Sequence, residues 1–310
     1  MTTSTPFIQS LTLFILLSFL PLAYLLPNGT AVVWVMVFPL LPLFIVLIGF
    51  NRWRKLCPLA WFASLGQTTH WFSKHKIPVW FEINYYPFIF SMLFLSFNAR
   101  LLFLNFEGTF LALFFLTIML IAFLTTLFFS GKSWCNFICP IGLVEKLYCG
   151  TNAHLSHLNS SCSSCTACKR NCPDIDMEKS YWKETNKEAR RFAFYSFSGL
   201  VFGFYFYYYA ISGHWEHYFN GEWTDKRLTK SDIYSEGFFF YPAIPKLLAV
   251  TLTLIFFSNL SYAFFSKLEK ALPSMKWAKK KTPKIIMPII NAMSAYLAFH
   301  ILYVIAGIPA

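Results

Sequence analysis

Cys162-Ser163-Ser164-Cys165-Thr166-Ala167-Cys168-Lys169-Arg170-Asn171-Cys172-Pro173 is the stretch on which the reading of this chain turns. Four thiols stand at x2, x2 and x3 spacing with a proline directly after the last, the spacing by which bacterial ferredoxins wrap a [4Fe–4S] cubane. A loop this short turns three sulfurs toward one face of a cluster, and the proline, which lacks a backbone donor, leads the chain away. Two other readings use the same residue type. Zinc ribbons need two Cys-x2-Cys knuckles parted by a longer loop, which these four residues lack, and a disulfide framework belongs to oxidising compartments. The spacing favours the cubane.

Long apolar segments flank this run. The 310 residues are 56% hydrophobic, 20% aromatic and only 13% charged, with a mean hydropathy of +0.50, whereas a soluble domain carries about 25% charged residues. A water-soluble globule is excluded, and an all-α polytopic membrane protein is predicted. Apolar runs at 7–26, 31–50, 84–106, 109–130, 192–212, 241–265 and 283–308 approach or exceed the length that crosses a bilayer. They give about seven transmembrane helices with a small ferredoxin-like [4Fe–4S] insert. The organisation that follows is a four-helix membrane region at 1–130, a cytoplasmic iron–sulfur segment at 131–190 and a three-helix membrane region at 191–310. Residues 61–81, which hold His70, Lys74, His75 and Lys76, read as an interfacial helix or loop.

Charge sets the sidedness. The net charge of +12 suits basic cytoplasmic loops better than a nucleic-acid partner. Arg52, Arg54 and Lys55 follow the second span, and six lysines lie in the loop 266–282 against Glu269 alone, so both segments belong inside. The loop 213–240 lacks a basic surplus and belongs outside. The N-terminus and the cluster side are therefore expected in the cytoplasm of a bacterium, with the chain spanning the inner membrane several times. The run at 7–26 reads as a retained helix, because no basic stretch precedes it and no small-residue cleavage site follows.

The other four cysteines sit near membrane exits. Cys135-Asn136-Phe137-Ile138-Cys139-Pro140 repeats the second half of the ferredoxin run, Cys57-Pro58 repeats its last two residues, and Cys149 stands alone. In two-cluster ferredoxins the cysteine before proline ligates the other cluster. By that rule one cubane takes Cys162, Cys165, Cys168 and Cys139. A second takes Cys172, Cys135, Cys57 and Cys149. The competing assignment is a single cubane on Cys162, Cys165, Cys168 and Cys172, with Cys135 and Cys139 as a redox pair at the membrane surface. Cys57 and Cys149 also have an apolar packing reading.

Ser133 to Gly142, Arg54 to Pro58 and Cys162 to Pro173 together resemble the membrane polyferredoxin-like family. That family includes the quinol dehydrogenase subunit of periplasmic nitrate reductase, the membrane regulator of nitrous oxide reductase and an accessory protein for assembly of copper-containing cytochrome oxidase. The resemblance covers roughly residues 31–175. It implies an integral membrane iron–sulfur protein that exchanges electrons with a quinone pool or a redox partner protein. Two departures stand out: Trp53 occupies the place of the leading cysteine in the first Cys-x3-Cys-Pro copy, and there is one Cys-x2-Cys-x2-Cys-x3-Cys run where relatives often carry two.

Ionisable residues within spans are functional candidates by default. Arg100 and Glu107 lie two helical turns apart and His300 falls in the last span, so together they form a candidate quinone-headgroup site. Haem ligation by His300 with His214 or His217, and plain snorkelling of Arg100 and Glu107 at the interface, are the competing readings. His70, His75, His154 and His157 read as solvated. Two functions follow: an electron carrier linking cytoplasmic-side clusters to a quinone or partner enzyme, or an assembly factor that reduces copper or a maturing metalloenzyme through Cys135 and Cys139. No nucleophile–base constellation and no Gly-rich phosphate loop is present.

Overall fold

The computed structural model describes residues 49–69, 75–104, 108–129, 133–149, 187–211, 236–241, 244–272 and 285–293, with scattered positions before residue 49. Almost all of these are helical. We label the helices α1 (Phe50–Leu56), α2 (Pro58–Thr68), α3 (Val79–Ala99), α4 (Gly108–Phe128), α5 (Ile141–Cys149), α6 (Glu188–Tyr205) and α7 (Lys246–Ala271). A two-residue antiparallel ladder pairs Glu236–Gly237 with Ile244–Pro245 just ahead of α7.

Three helices among the described residues are long and apolar enough to cross a membrane: Val79–Leu104, Gly108–Phe128 and Lys246–Ala271. At 1.5 Å per residue the shortest, with 21 residues, reaches about 32 Å, enough for a hydrocarbon core of about 30 Å. Helix α4 has no ionisable residue. Its threonines bond back within the helix, Thr117 Oγ1 to the Leu113 carbonyl and Thr125 Oγ1 to the Ile121 carbonyl, both at 2.7 Å. Such bonds satisfy hydroxyls where water is absent.

These three helices match the predicted spans at 84–106, 109–130 and 241–265 with shifted ends. The predicted span at 192–212 falls on α6 and its π-helical continuation, Phe206–Ile211, which is not among the three. The runs at 7–26 and 31–50 lie almost wholly outside the described residues, as does most of 283–308. The ferredoxin run lies entirely outside them.

Helices α3, α6 and α7 share the principal core. Tyr86 and Phe194 meet edge to face at 5.8 Å between ring centres, and Ile286, Met287 and Ile290 of the helical stretch 285–293 are fully buried in the same cluster. Helices α6 and α7 approach closely at Gly199, where a Cβ would run into the Phe257 carbonyl and the Ser261 side chain. Ser261 Oγ donates to the Tyr195 carbonyl at 2.6 Å. A small residue at the crossing and a hydroxyl bridge beside it are the devices by which helices associate in lipid.

The first part of segment 61–81 is helical. Helix α2 lies against the span α4, and Thr126 Oγ1 donates across the contact to the Ala63 carbonyl at 2.6 Å. Gly66 permits this approach, since a Cβ there would meet the Thr126 hydroxyl and the Phe123 carbonyl. Further on, the amide of His75 donates to the Phe128 carbonyl at 2.9 Å, which pins the lead-in to α3 against the end of α4.

Candidate metal centre

The two Cys-Pro dipeptides give their cysteines the same backbone angles, after an α-helical turn at the first and a π-helical turn at the second. Cys57 and Cys139 share backbone angles of φ −59° and ψ 120°, the extended region to which a following proline confines its neighbour. Each closes the turn before it: the Cys57 amide donates to the Trp53 carbonyl at 2.8 Å and the Cys139 amide to the Trp134 carbonyl at 2.9 Å. Each also opens a new helix, α2 after Pro58 and α5 after Pro140. Cys57 is the N-cap of α2, and Cys139 stands two residues ahead of Ile141, the first residue of α5. Each sulfur faces backbone amides, those of Ala60 and Leu59 at Cys57 and that of Gly142 at Cys139. Amides aimed at sulfur, together with the positive end of a helix dipole, favour a thiolate or a metal–thiolate.

The two elbows meet. Arg54, one residue after Trp53, spans them with its guanidinium: Nε donates to Glu145 Oε2 at 2.9 Å, one terminal nitrogen donates to Asn136 Oδ1 at 2.7 Å and the other to the Cys135 carbonyl at 3.2 Å. Trp53 Nε1 donates to the remaining Glu145 oxygen at 2.8 Å. The ion pair is closed to water, with its side chains 1% and 5% exposed. A second buried cation, Lys146, donates to the Tyr85 hydroxyl at 2.9 Å and to the Asn136 carbonyl at 3.0 Å. It also lies 4.2 Å from the Tyr85 ring centre and 5.2 Å from that of Tyr86. Gly142 is required at the start of α5, because a Cβ there would stand 2.7 Å from the Cys135 carbonyl oxygen.

Cys57, Cys135 and Cys139 are all buried and free of disulfides. Cys135 and Cys139 pack with Ala63 of α2 and Ala122 of α4. Tyr85 lies six residues into α3 and Ala122 six residues from the end of α4, which sets the site about 9 Å inside the ends of the apolar helices. Burial pushes the Cys57 thiol up to about 12, and the charges of Cys135 and Glu145 add to it while the Ala60 and Leu59 amides oppose it. Cys139 is raised well above its usual value for the same first reason, with Cys135, Glu145 and Cys57 contributing. Both thiols thus feel Cys135 and Glu145, and Cys139 also feels Cys57.

Among the described residues no three His, Cys, Asp or Glu side chains close around a single ion. A cubane makes a different demand, since its thiolates bind separate irons. Three buried sulfurs, with backbone amides at two of them and buried cations beneath, suit that donor chemistry, the remaining ligands coming from elsewhere in the chain. Cys149 ends α5, but its side chain lies outside the described residues, as do Cys162, Cys165, Cys168, Cys172, Glu107 and His300. Arg100 stands apart at the far end of α3, its guanidinium 4.5 Å from the Phe204 ring centre. Nearby, Thr251 Oγ1 donates to Asn98 Oδ1 at 2.9 Å. Fifteen residues of helix separate Arg100 from Tyr85, about 22 Å.

Sequence reasoning passed over Glu145, Lys146, Asn136 and Tyr85. One signal pointed to the first two: an acidic and a basic residue side by side, six and seven positions after Cys139, in a segment otherwise largely apolar.

The family model described as a 4Fe-4S binding domain matches residues 111–150. The match runs from α4 through α5 and takes in Cys135, Cys139 and Cys149. No curated protein and no solved structure matches the chain. A mostly helical protein with three apolar helices of membrane-crossing length, carrying a 4Fe-4S binding domain at the second Cys-Pro elbow, is the class these observations define.

Proposed function

We propose that the chain is an integral membrane electron carrier of the polyferredoxin type, moving single electrons between cytoplasmic-side [4Fe–4S] clusters and a membrane quinone or a partner redox enzyme. The observation that carries this reading is the convergence of the two Cys-Pro elbows on one buried site, the second of them inside the residues that match a 4Fe-4S binding domain. A bound cluster supplies the one-electron chemistry. The chain's own residues do the rest. Pro58 and Pro140 fix the elbows, the α2 and α5 amides point at sulfur, and Ala63, Ala122 and Trp134 keep water out. Cys57 and Cys135 share one cluster with Cys172 and Cys149, while Cys139 joins Cys162, Cys165 and Cys168 on the other. Arg100, with Glu107 and His300, supplies the quinone headgroup site.

Iron content and electron paramagnetic resonance of the purified, reduced full-length protein test the proposal. About eight irons per chain are expected from two cubanes. A value near four overturns the two-cluster division, and none overturns the reading altogether.

A further inference from the structure

The second elbow carries a buried donor that nothing in the packing explains. Trp134 stands directly before Cys135, and its carbonyl accepts the Cys139 amide at 2.9 Å, so the turn that builds the elbow also fixes its backbone. The side chain is 2% exposed and lies in the apolar patch that Cys135 and Cys139 form with Ala63 and Ala122. Indole nitrogen can only donate, and among the described residues no acceptor lies within hydrogen-bonding reach of Trp134 Nε1. Burying an unpaired donor is costly, and native proteins seldom leave one so. Trp53 shows the usual outcome, its Nε1 donating to Glu145 at 2.8 Å. Packing alone does not call for a nitrogen at position 134, since an apolar ring among alanines would sit there at less cost.

We propose that the Trp134 indole N–H is a hydrogen-bond donor to a sulfur of the cluster bound at Cys135, and that this bond raises the cluster's reduction potential. The inference rests on the cluster reading above. The patch around the indole is made of alanine, isoleucine and cysteine side chains, so sulfur is the polar chemistry within it, and hydrogen bonds to the sulfurs of a cluster are among the factors that set its potential. Reduction adds one electron, supplied by a low-potential redox donor, and with it one negative charge shared by irons and sulfurs. The proton stays on the indole nitrogen and no bond breaks. A donor at sulfur therefore stabilises the reduced form more than the oxidised one, and burial strengthens the effect because the surroundings screen poorly. The same residue explains its own burial: the nitrogen that lacks a partner in the protein finds one in the cofactor.

Two measurements separate this role from a merely structural one. Midpoint potentials are read by redox-poised electron paramagnetic resonance on the purified full-length chain, following the signal that Cys135→Ser removes. Trp134→Phe keeps an apolar ring and deletes the donor, and it is expected to lower the equilibrium constant for reduction about tenfold, a downward shift of about 59 mV for one electron. A potential that stays put or rises, with iron content unchanged, overturns the inference and leaves the cluster reading standing. Electron–nuclear double resonance on the reduced protein, with the indole nitrogen of tryptophan isotopically labelled, decides the matter if Trp134→Phe loses its iron. Coupling of an indole nitrogen to that same signal is expected in the unmodified chain and in Trp53→Phe alike. Coupling that is absent, or that disappears with Trp53, overturns the proposal. Absence of iron in the unmodified protein defeats the cluster reading itself.

Discussion

The first and second Cys-Pro elbows share the backbone angles of their cysteines and carry opposite equipment. Both place a cysteine at φ −59° and ψ 120° ahead of a proline and a new helix. The second supplies two thiols, Cys135 and Cys139, and an acid, Glu145. The first supplies one thiol, Cys57, and where its other thiol would stand it has Trp53, followed by Arg54. The indole and the guanidinium both reach the carboxylate of the second elbow. One elbow thus offers two thiols and an acid, and the other offers one thiol with an indole and a guanidinium that clamp that acid.

That division of labour is open to attack at several points. The largest effect is expected from Arg54→Ala. It strands Glu145 as an uncompensated buried charge, a change that costs about 3–5 kcal/mol when one partner of a buried pair is removed; chemical unfolding in detergent micelles measures it, and a loss below 1 kcal/mol would show that the elbows hold together without the clamp. Next comes Gly142→Ala, whose methyl would press on the Cys135 carbonyl at 2.7 Å. Overpacking of this kind costs about 1–3 kcal/mol, and the variant is expected to purify with less iron, since the strain falls on a ligand's own backbone. Full iron content in that variant would mean the carbonyl moves freely.

A comparable effect is expected from Trp53→Phe, which keeps the ring and deletes the bond to Glu145, worth about 1.5–3 kcal/mol for a charged acceptor. Trp53→Cys sharpens the comparison further: it restores the missing thiol and is expected to add no iron, because position 53 faces Glu145. An increase in iron per chain would instead mark the first elbow as a latent copy of the second. Smallest is Thr126→Val, which removes the hydroxyl bridging α4 to the Ala63 carbonyl. About 1 kcal/mol is expected there, with the cluster signal unchanged.

Much of this molecule was legible in the sequence, for reasons tied to range. Helix α4 declared itself by 21 residues without a charge, and the Cys-Pro elbows by a dipeptide whose backbone is restricted locally. The span ends were less legible, since Val79 to Ile83 extend α3 ahead of its predicted run, while α7 begins inside its run at Lys246 and continues past it to Ala271. The contact of helix α2 with α4 was not legible, because it joins residues 63 positions apart and turns on Gly66, a glycine whose use is only apparent at the crossing. The clamp was invisible for the same reason. Arg54 reads locally as a topogenic charge after a span, and its bond to Glu145 joins residues 91 positions apart. Arg100 was found from its depth in a span, but its described neighbours are the Phe204 ring and the Asn98–Thr251 bond beside it.

The central claim is that the two elbows serve one site, and Cys57 is the residue that tests it. Electron paramagnetic resonance of reduced Cys57→Ser, Cys135→Ser and Cys162→Ser proteins, each with its iron counted, compares the three positions directly. Cys57→Ser and Cys135→Ser are predicted to lose the same signal and retain the one that Cys162→Ser removes. A Cys57→Ser protein with every signal intact and unchanged iron would contradict the account, leaving Cys57 as an apolar residue of the elbow and the second elbow as a site on its own.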